Sequence, residues 1–432
     1  MNIKQFAINL ISKVDKGAYS NIILNEELQK SNYEIKEKKF ITEIFYGVLR
    51  NKKFIDYIIK KNSKEIKKEW LRNLLRISLY QITFMNSDDA GVVWEATELT
   101  KKKYGVPVGK FVNAFLRKFL REKDKEIEIL KSNNDFDILY SIPKWFCDIL
   151  EKQYKKENLE AAIKSIKKIP YLSVRVNKLK YSEEEFENLL KNKKIEIIKK
   201  IDTVYYLSSG ELINSLEFKE GKIIAQDASS YLAAKILGAK KEELVLDICS
   251  APGGKTAVLA ESMENIGEII ALDIHKHKIK LIENNMKKLG ISIVKPIVLD
   301  ARVVNKQGRK FDKILVDVPC SGYGVVRKKP EILYNKKEEN IEDISKIQLE
   351  ILNSAADILK VGGELVYSTC TIIDKENTEN IEKFLASRKD FESVKINIPS
   401  SVNGNFDEFG GFNVDYTEEI MDGFYIIKLR KK

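Results

Sequence analysis

Histidine is nearly missing from this 432-residue chain, with only His275 and His277, both on one segment. That scarcity argues against a histidine-dependent catalytic triad. No CxxC or Cys/His cluster occurs either, so no metal is expected. Four cysteines, Cys147, Cys249, Cys320 and Cys370, are too few and too scattered for a disulfide framework. Apolar stretches are short and interrupted by Lys or Glu, which excludes a bilayer-spanning segment. Residues 1–10 hold no apolar run of signal-peptide length. A cytoplasmic, monomeric protein without membrane contact is the expectation, and any nucleophilic chemistry must run on Cys, Ser, Lys or carboxylates.

What is present is ordinary for a folded protein, with 44% apolar and 32% charged residues. The length calls for two or three domains. The net charge of +11 is uneven: residues 1–140 hold 27 Lys/Arg against 19 Asp/Glu, a net +8. A basic first third is what a nucleic-acid-facing surface requires, although solvated lysine-rich helices would show the same excess.

Residues 1–135 read as helices. Ile3, Ala7, Leu10 and Val14 share one helical face, and similar stripes recur in 40–49, 70–84, 92–104 and 108–119. Pro107 is the only proline before Pro143, and the charged stretch 121–137 reads as the exit from this all-helical domain. Residues 136–235 mix short β-rich runs (172–177, 195–198, 204–207) with a helical 182–193, a small α+β module. From residue 236 short apolar strands alternate with helices, the pattern of a doubly wound α/β sheet with ligands at its strand carboxyl ends. Asp247, Asp273, Asp300 and Asp317 each close one of the first four strands. Such an acidic rim suits a ligand rich in hydroxyl and amino groups and would repel a bare polyphosphate.

The loop after the first of these strands is Asp247-Ile-Cys-Ser-Ala-Pro-Gly-Gly-Lys-Thr256. Its paired glycines permit close backbone approach and the following helix start offers free N–H groups. It matches neither GxGxxG nor GxxxxGK[ST]. Two further strands end in Asp317-Val-Pro-Cys-Ser-Gly-Tyr-Gly324 and Tyr367-Ser-Thr-Cys-Thr371, placing Cys320 and Cys370 on that same sheet edge. If the two strands are neighbours, the cysteines converge on one pocket.

These three motifs, with Gln226-Asp-Ala-Ser-Ser230, Arg175-Val-Asn177 and Asp422-Gly-Phe-Tyr425, resemble the RNA cytosine-5 methyltransferases of the Nop2/Sun family. Glu43-Ile-Phe-Tyr-Gly-Val-Leu-Arg50 and Lys110-Phe-Val-Asn-Ala-Phe-Leu-Arg117 resemble the RNA-binding fold of the antitermination factor NusB. The resemblance implies a NusB-like all-α domain (1–135), a small α+β RNA-recognition module (136–235) and a Rossmann-like methyltransferase domain with a mostly parallel seven-stranded sheet (236–432). It also implies S-adenosylmethionine as cofactor and small-subunit (16S) ribosomal RNA as partner. It assigns the nucleophile to Cys370, proton removal and release to Cys320, and the contact with the target base to Asp317. Cys249, Ser250, Ala251, Pro252, Gly253, Gly254, Asp273, Asp300 and Asp317 would line the cofactor. Lys255 would either join them or orient Asp317. Arg175, Asn177, Arg327 and Lys328 are candidates for RNA contacts.

Two departures from the family pattern stand out: Glu419, Ile420 and Met421 replace a glycine-rich approach to Asp422, and Tyr334 stands where tryptophan is common. Other readings are open at this level. They are a transfer-RNA cytosine-5 methyltransferase, a non-catalytic RNA-binding or assembly factor on this scaffold, and a nicotinamide-dependent oxidoreductase, which lacks its GxGxxG fingerprint.

Overall fold

The computed structural model describes residues 2–154 and 156–432, which form two compact units. The first runs to Lys167 and takes in Val326–Lys336; the second holds Lys168–Val325 and Lys337–Lys432.

The first unit is helical: α1 (Ile3–Asp15), α2 (Ser20–Gln29), α3 (Ile35–Arg50), α4 (Lys52–Asn62), α5 (Glu69–Phe84), α6 (Asp89–Tyr104), α7 (Val106–Ser132), α8 (Phe136–Leu139), α9 (Lys144–Gln153) and α10 (Lys156–Ile166). Local chemistry sets several starts: the Asn2 and Asp88 side chains cap α1 and α6, and Pro107 sits in the first turn of α7. Leu74, Leu75 and Ile77 of α5 are fully buried at the centre of the core. Buried Arg76 pairs with Asp15 and Asp56, each at 2.7 Å.

This unit extends beyond the expected 1–135. The charged stretch 121–137 is not an exit, because α7 continues to Ser132 with Leu130 buried and Glu126 paired to Lys61. The periodicity survives there under a heavy load of surface charge. The segment Val326–Lys336 is held by polar contacts that no local pattern announces. Ser20 donates from its N–H (2.9 Å) and hydroxyl (2.7 Å) to buried Glu331, and Tyr334 donates to the Ser141 carbonyl (3.3 Å).

The second unit begins with a four-stranded antiparallel sheet of β1 (Leu172–Val176), β2 (Ile197–Ile201), β3 (Val204–Leu207) and β4 (Ile223–Ala225), in the order β2-β3-β1-β4. Helix α11 (Glu183–Lys193) buries Phe186 and Leu190 in the core of this module. The short α12 (Leu216–Lys219) precedes β4, and α13 (Ala228–Leu237) leads into the large sheet.

That sheet contains β5 (Leu244–Ile248), β6 (Glu268–Asp273), β7 (Val294–Val298), β8 (Phe311–Asp317), β9 (Leu359–Thr369), β10 (Phe391–Val394), β11 (Asn405–Phe406), β12 (Phe412–Val414) and β13 (Phe424–Lys431). Their order is β11-β12-β13-β9-β8-β5-β6-β7, with β10 also on β13. Among the described residues this sheet has nine strands where seven were expected. The excess comes from short antiparallel pieces at the β13 edge whose two to four residues carry no readable alternation. Strands β7, β6, β5, β8 and β9 are mutually parallel, and the order reverses at β5. Ligands in such sheets bind at that reversal, beyond the carboxyl ends of the strands. Helices α14 (Gly254–Ser262), α15 (Lys276–Leu289), α17 (Glu339–Asp357) and α18 (Thr378–Ser387) complete the unit; α16 (Ile332–Asn335) belongs to the first. Among the described residues, no helix is long and apolar enough to cross a membrane.

Candidate active site

Strands β8 and β9 are neighbours, with Asp317 opposite Ser368 in the register. Cys370 follows β9 immediately, and Cys320 lies three residues past β8. Their sulfurs stand 3.0 Å apart, and neither is in a disulfide. The convergence expected on the condition of adjacent strands is therefore present.

Asp317 is gripped on both oxygens, by the Lys255 ammonium on Oδ2 (2.8 Å) and the Ser368 hydroxyl on Oδ1 (2.8 Å). Lys255 sits in the first turn of α14, and its Nζ lies 5.3 Å from the centre of the Phe424 ring. Burial opposes the charge on Lys255, but Asp317 outweighs it and raises the pKa, with a further contribution from Cys370. A fixed cation thus stands within electrostatic reach of Cys370. The Cys320 thiol is pushed well above the usual range, first by its hydrogen bond to Cys370, then by burial and by the charges of Cys370 and Glu376. Cys249 is pushed up to about 12 by burial and then by three neighbouring aspartates, which leaves it unsuited to nucleophilic attack.

The loop 249–254 is tied down along its length. The Ser250 N–H and hydroxyl both donate to the Leu272 carbonyl (2.8 and 3.0 Å), the Gly253 N–H to Ser250 (2.7 Å), and Asn285 to the Pro252 carbonyl (2.8 Å). The Ala251–Pro252 peptide is cis. Gly253 has φ +100°, and a Cβ there would come within 2.9 Å of Met286 Cε, so both backbone and space demand glycine. Gly254 opens α14. Asp247, fully buried at the end of β5, accepts from Thr256 on Oδ2 (2.6 Å), while its Oδ1 has no partner. Burial pushes the Asp247 carboxyl up to about 7. Asp273 accepts from the His275 N–H (3.0 Å) and has only a long 3.6 Å ion pair to Lys278. Asp300 lies just past β7 and is engaged by Arg302 through backbone (3.0 Å) and guanidinium (2.7 Å).

The RNA-contact candidates fare differently. Arg175 is fully buried, donating to Gln226 (2.6 Å) and pairing with Glu261. Asn177, also fully buried, donates to the Gly221 (2.8 Å) and Leu289 (3.1 Å) carbonyls. Arg327 is buried in the helical unit, donating to the Ser165 carbonyl (3.0 Å) and to the Ser165 hydroxyl. These three are corrected from RNA contacts to internal ties. Their side chains are buried and bonded to internal partners, with Arg175 Nη2 left as a buried donor without one. Lys328 is half-buried.

Sequence reasoning missed the polar shell behind the cysteines: Gln348, Glu376 and Asn377, all fully buried. Glu376-Asn377 follows Cys370 by only six residues, but nothing in its local pattern separates it from an ordinary helix start.

Paired cysteines and a lysine-held aspartate at the carboxyl ends of β8 and β9 bring the motifs that resemble those of RNA methyltransferases into one site of a Rossmann-like sheet. Comparison with known proteins agrees. Residues 234–430 match the family described as 16S rRNA methyltransferase RsmB/F, residues 1–121 the NusB family, and residues 142–204 the ferredoxin-like domain of RsmF/B-like methyltransferases. Over its whole length the chain is 34% identical to the "Probable ribosomal RNA small subunit methyltransferase B" of Bacillus subtilis (strain 168), covering 99% of that protein. It is 31% identical to Ribosomal RNA small subunit methyltransferase B of Vibrio vulnificus (strain YJ016), covering all of it. The crystal structure of PH0851 superimposes with a TM-score of 0.85 at 30% identity, covering 100% of this chain and 99% of that one. The chain belongs to the RsmB/F family of ribosomal RNA small subunit methyltransferases.

Proposed function

We propose that this chain methylates carbon 5 of one cytosine in 16S ribosomal RNA, with S-adenosylmethionine as methyl donor and a covalent bond between Cys370 and carbon 6 of the base. The observation that carries this reading is the pair of cysteine sulfurs 3.0 Å apart, not joined by a disulfide, beside a lysine-bound aspartate. One cysteine suffices for a buried apolar contact; two at a ligand edge suit a reaction with separate addition and release.

The residues at the strand ends fit that donor. A glycine cradle that a Cβ would fill, the unpaired buried Asp247 Oδ1 and the lightly engaged Asp273 together offer acceptors for amino and hydroxyl groups. Asp273 would take the ribose hydroxyls and the 249–254 backbone the methionine end. Asp300 would reach the adenine amine by releasing Arg302, an exposed pair of little energetic weight.

Carbon 5 of cytosine is a poor nucleophile. The Lys255 ammonium favours the Cys370 thiolate, whose sulfur adds to carbon 6. The C5–C6 π pair shifts toward N3, where Asp317 donates a hydrogen bond or a proton that returns on release, and carbon 5 becomes enamine-like. Asp317 holds the N3 and amino edge of the base, in a position fixed by Lys255 and Ser368. S-adenosylmethionine, when bound, would supply a sulfonium methyl group to the activated carbon 5, the C–S bond pair staying on the departing neutral S-adenosylhomocysteine. Once Cys370 is a thioether, its hydrogen bond and its charge no longer oppose ionisation of Cys320, leaving burial and Glu376 as the remaining opposition. Cys320 can then lose its proton to solvent and, as thiolate, take the carbon-5 proton. The electron pair of that C–H bond reforms the C5–C6 double bond, and the C6–S bond breaks with its electrons returning to Cys370. A base inside a duplex could not reach this site, so the target must be unstacked, as in a loop or single strand.

The test is methyl transfer to small-subunit ribosomal RNA from cells lacking the protein, with nucleotide mapping. Label on one cytosine, lost in Cys370→Ala and replaced in Cys320→Ala by a denaturation-resistant protein–RNA adduct, is the expected result. Label confined to transfer RNA would overturn the substrate, and label surviving in Cys370→Ala would overturn the nucleophile.

A further inference from the structure

The two sulfurs sit on different loops, so something must hold those loops in register. Gln348 Nε2 donates to the Pro319 carbonyl (2.9 Å) and to Glu376 Oε2 (2.8 Å), and that same oxygen accepts the Ser321 N–H (2.9 Å). Both neighbours of Cys320 are thus tied to one carboxylate–amide pair. Asn380 donates to Gln348 Oε1 (2.9 Å), which turns the Gln348 donor toward Pro319. On the other loop, Asn377 Oδ1 accepts from the Thr369 hydroxyl (2.6 Å) and Asn377 Nδ2 donates to the Thr371 carbonyl (3.1 Å). Both neighbours of Cys370 are tied to one amide. Adjacent residues of the chain, Glu376 and Asn377, therefore straddle one cysteine each. The Tyr367 hydroxyl donates to the Glu376 carbonyl (2.7 Å), and the Ser321 and Thr371 hydroxyls, 2.9 Å apart, join the loops directly.

We propose that Glu376 and Asn377 are positioning residues for the cysteine pair: Glu376, with Gln348, fixes the loop of Cys320, and Asn377 fixes the loop of Cys370. The backbone between them acts as the spacer that sets the sulfur separation. This rests on the division of labour proposed above, with Cys370 adding to the base and Cys320 releasing it. A carboxylate carries the Cys320 side because one oxygen must accept two N–H donors at once in a dry site, and a charged acceptor does this better than a neutral one. Its other oxygen, Oε1, is buried without a partner, so the charge is carried at a cost in desolvation and a packing role alone does not explain it.

The two halves fail differently, which makes the proposal testable. Glu376→Ala and Gln348→Met loosen Cys320 and slow release. Turnover should fall by about 100-fold, the scale of a 1 Å misplacement at a reacting centre. Covalent protein–RNA adduct should accumulate, while S-adenosylmethionine binding stays as in the parent. Asn377→Ala loosens Cys370 and should reduce adduct formation without accumulation. Glu376→Gln and Asn377→Ser keep an acceptor in place and should restore part of the turnover. General loss of packing would instead lower adduct formation and cofactor affinity together in every variant. Adduct yields are read on denaturing gels beside Cys320→Ala and Cys370→Ala. If Cys320→Ala accumulates adduct but Glu376→Ala and Gln348→Met do not, the positioning role is wrong. Accumulation in Asn377→Ala overturns it equally. If Cys320→Ala gives no adduct, the assignment of the cysteines fails and this proposal falls with it.

Discussion

Gly324→Ala is the sharpest single perturbation of the site. Gly324 closes the loop that carries Cys320, donates its N–H to the Cys370 carbonyl (3.0 Å) and accepts from the Gly423 N–H (2.9 Å). A Cβ at 324 would lie 2.0 Å from the Gly423 carbonyl oxygen and 2.8 Å from the Cys370 carbonyl oxygen. Ordinary contact begins at 3.4 Å, so the first is about 1.4 Å too close and the second about 0.6 Å. Both obstacles are backbone, which cannot rotate away as a side chain would. The clash must be relieved by moving the Cys320 loop, the Cys370 turn or the 422–424 turn. Overpacking of this kind costs about 1–3 kcal/mol, too little to unfold a protein of this size outright. The chemistry is far less tolerant, because a displacement near 1 Å at reacting groups costs about 100-fold in rate. The expected variant folds, melts somewhat lower and transfers methyl groups roughly two orders of magnitude more slowly, with cofactor affinity little changed. Thermal unfolding, cofactor titration and initial rates measure the three. A variant with parental rate and parental melting temperature would refute the idea that this three-way backbone contact sets the position of the cysteines.

Other expectations follow from single contacts. Lys255→Met removes the counter-ion of Asp317 and the cation facing Cys370. If Lys255 acts on Asp317, turnover collapses while S-adenosylmethionine affinity holds; a matching loss of affinity by calorimetry would return Lys255 to the cofactor. Asp247, with its pKa raised to about 7 by burial, stays protonated in the fold while its unfolded counterpart ionises near pH 4. That destabilises the fold progressively from about pH 4 to about pH 7 and by a constant amount above. The melting difference between Asp247→Asn and its parent should therefore shift in favour of the variant across that window, and a pH-independent difference would contradict it. Glu331→Ala strands the buried Ser20 N–H and hydroxyl. It should cost the helical unit about 1–3 kcal/mol in denaturant unfolding.

What could be read without coordinates has a common character. The helical stripes of α1, α5 and α6, the capping and proline signals, and the strand–helix alternation after residue 236 are local periodicities. Burial of one face imposes them, and each is written within ten or twenty residues. The motif-bearing residues could be placed at a strand carboxyl edge because strand ends are local too. Where local signal was diluted, the reading slipped. The α7 stripe beyond residue 120 is hidden by charge, and strands β10, β11 and β12 are too short to show a period.

The sequence by itself thus determined the helical first third, the α/β class of the last, and the identity of the groups able to do chemistry. Tertiary structure alone decided what those groups are near. Adjacency of β8 and β9, from which the 3.0 Å sulfur pair follows, depends on strand order. The inward turn of Arg175, Asn177 and Arg327 depends on partners 51, 44 and 162 residues away. The same holds for the Glu376–Asn377 clamp, whose anchors on the Cys320 loop lie more than fifty residues upstream. A polar side chain reads alike in sequence whether it will meet solvent, RNA or a buried carbonyl. Which it meets is fixed only when packing brings distant backbone within hydrogen-bond reach and removes the water that would otherwise have served.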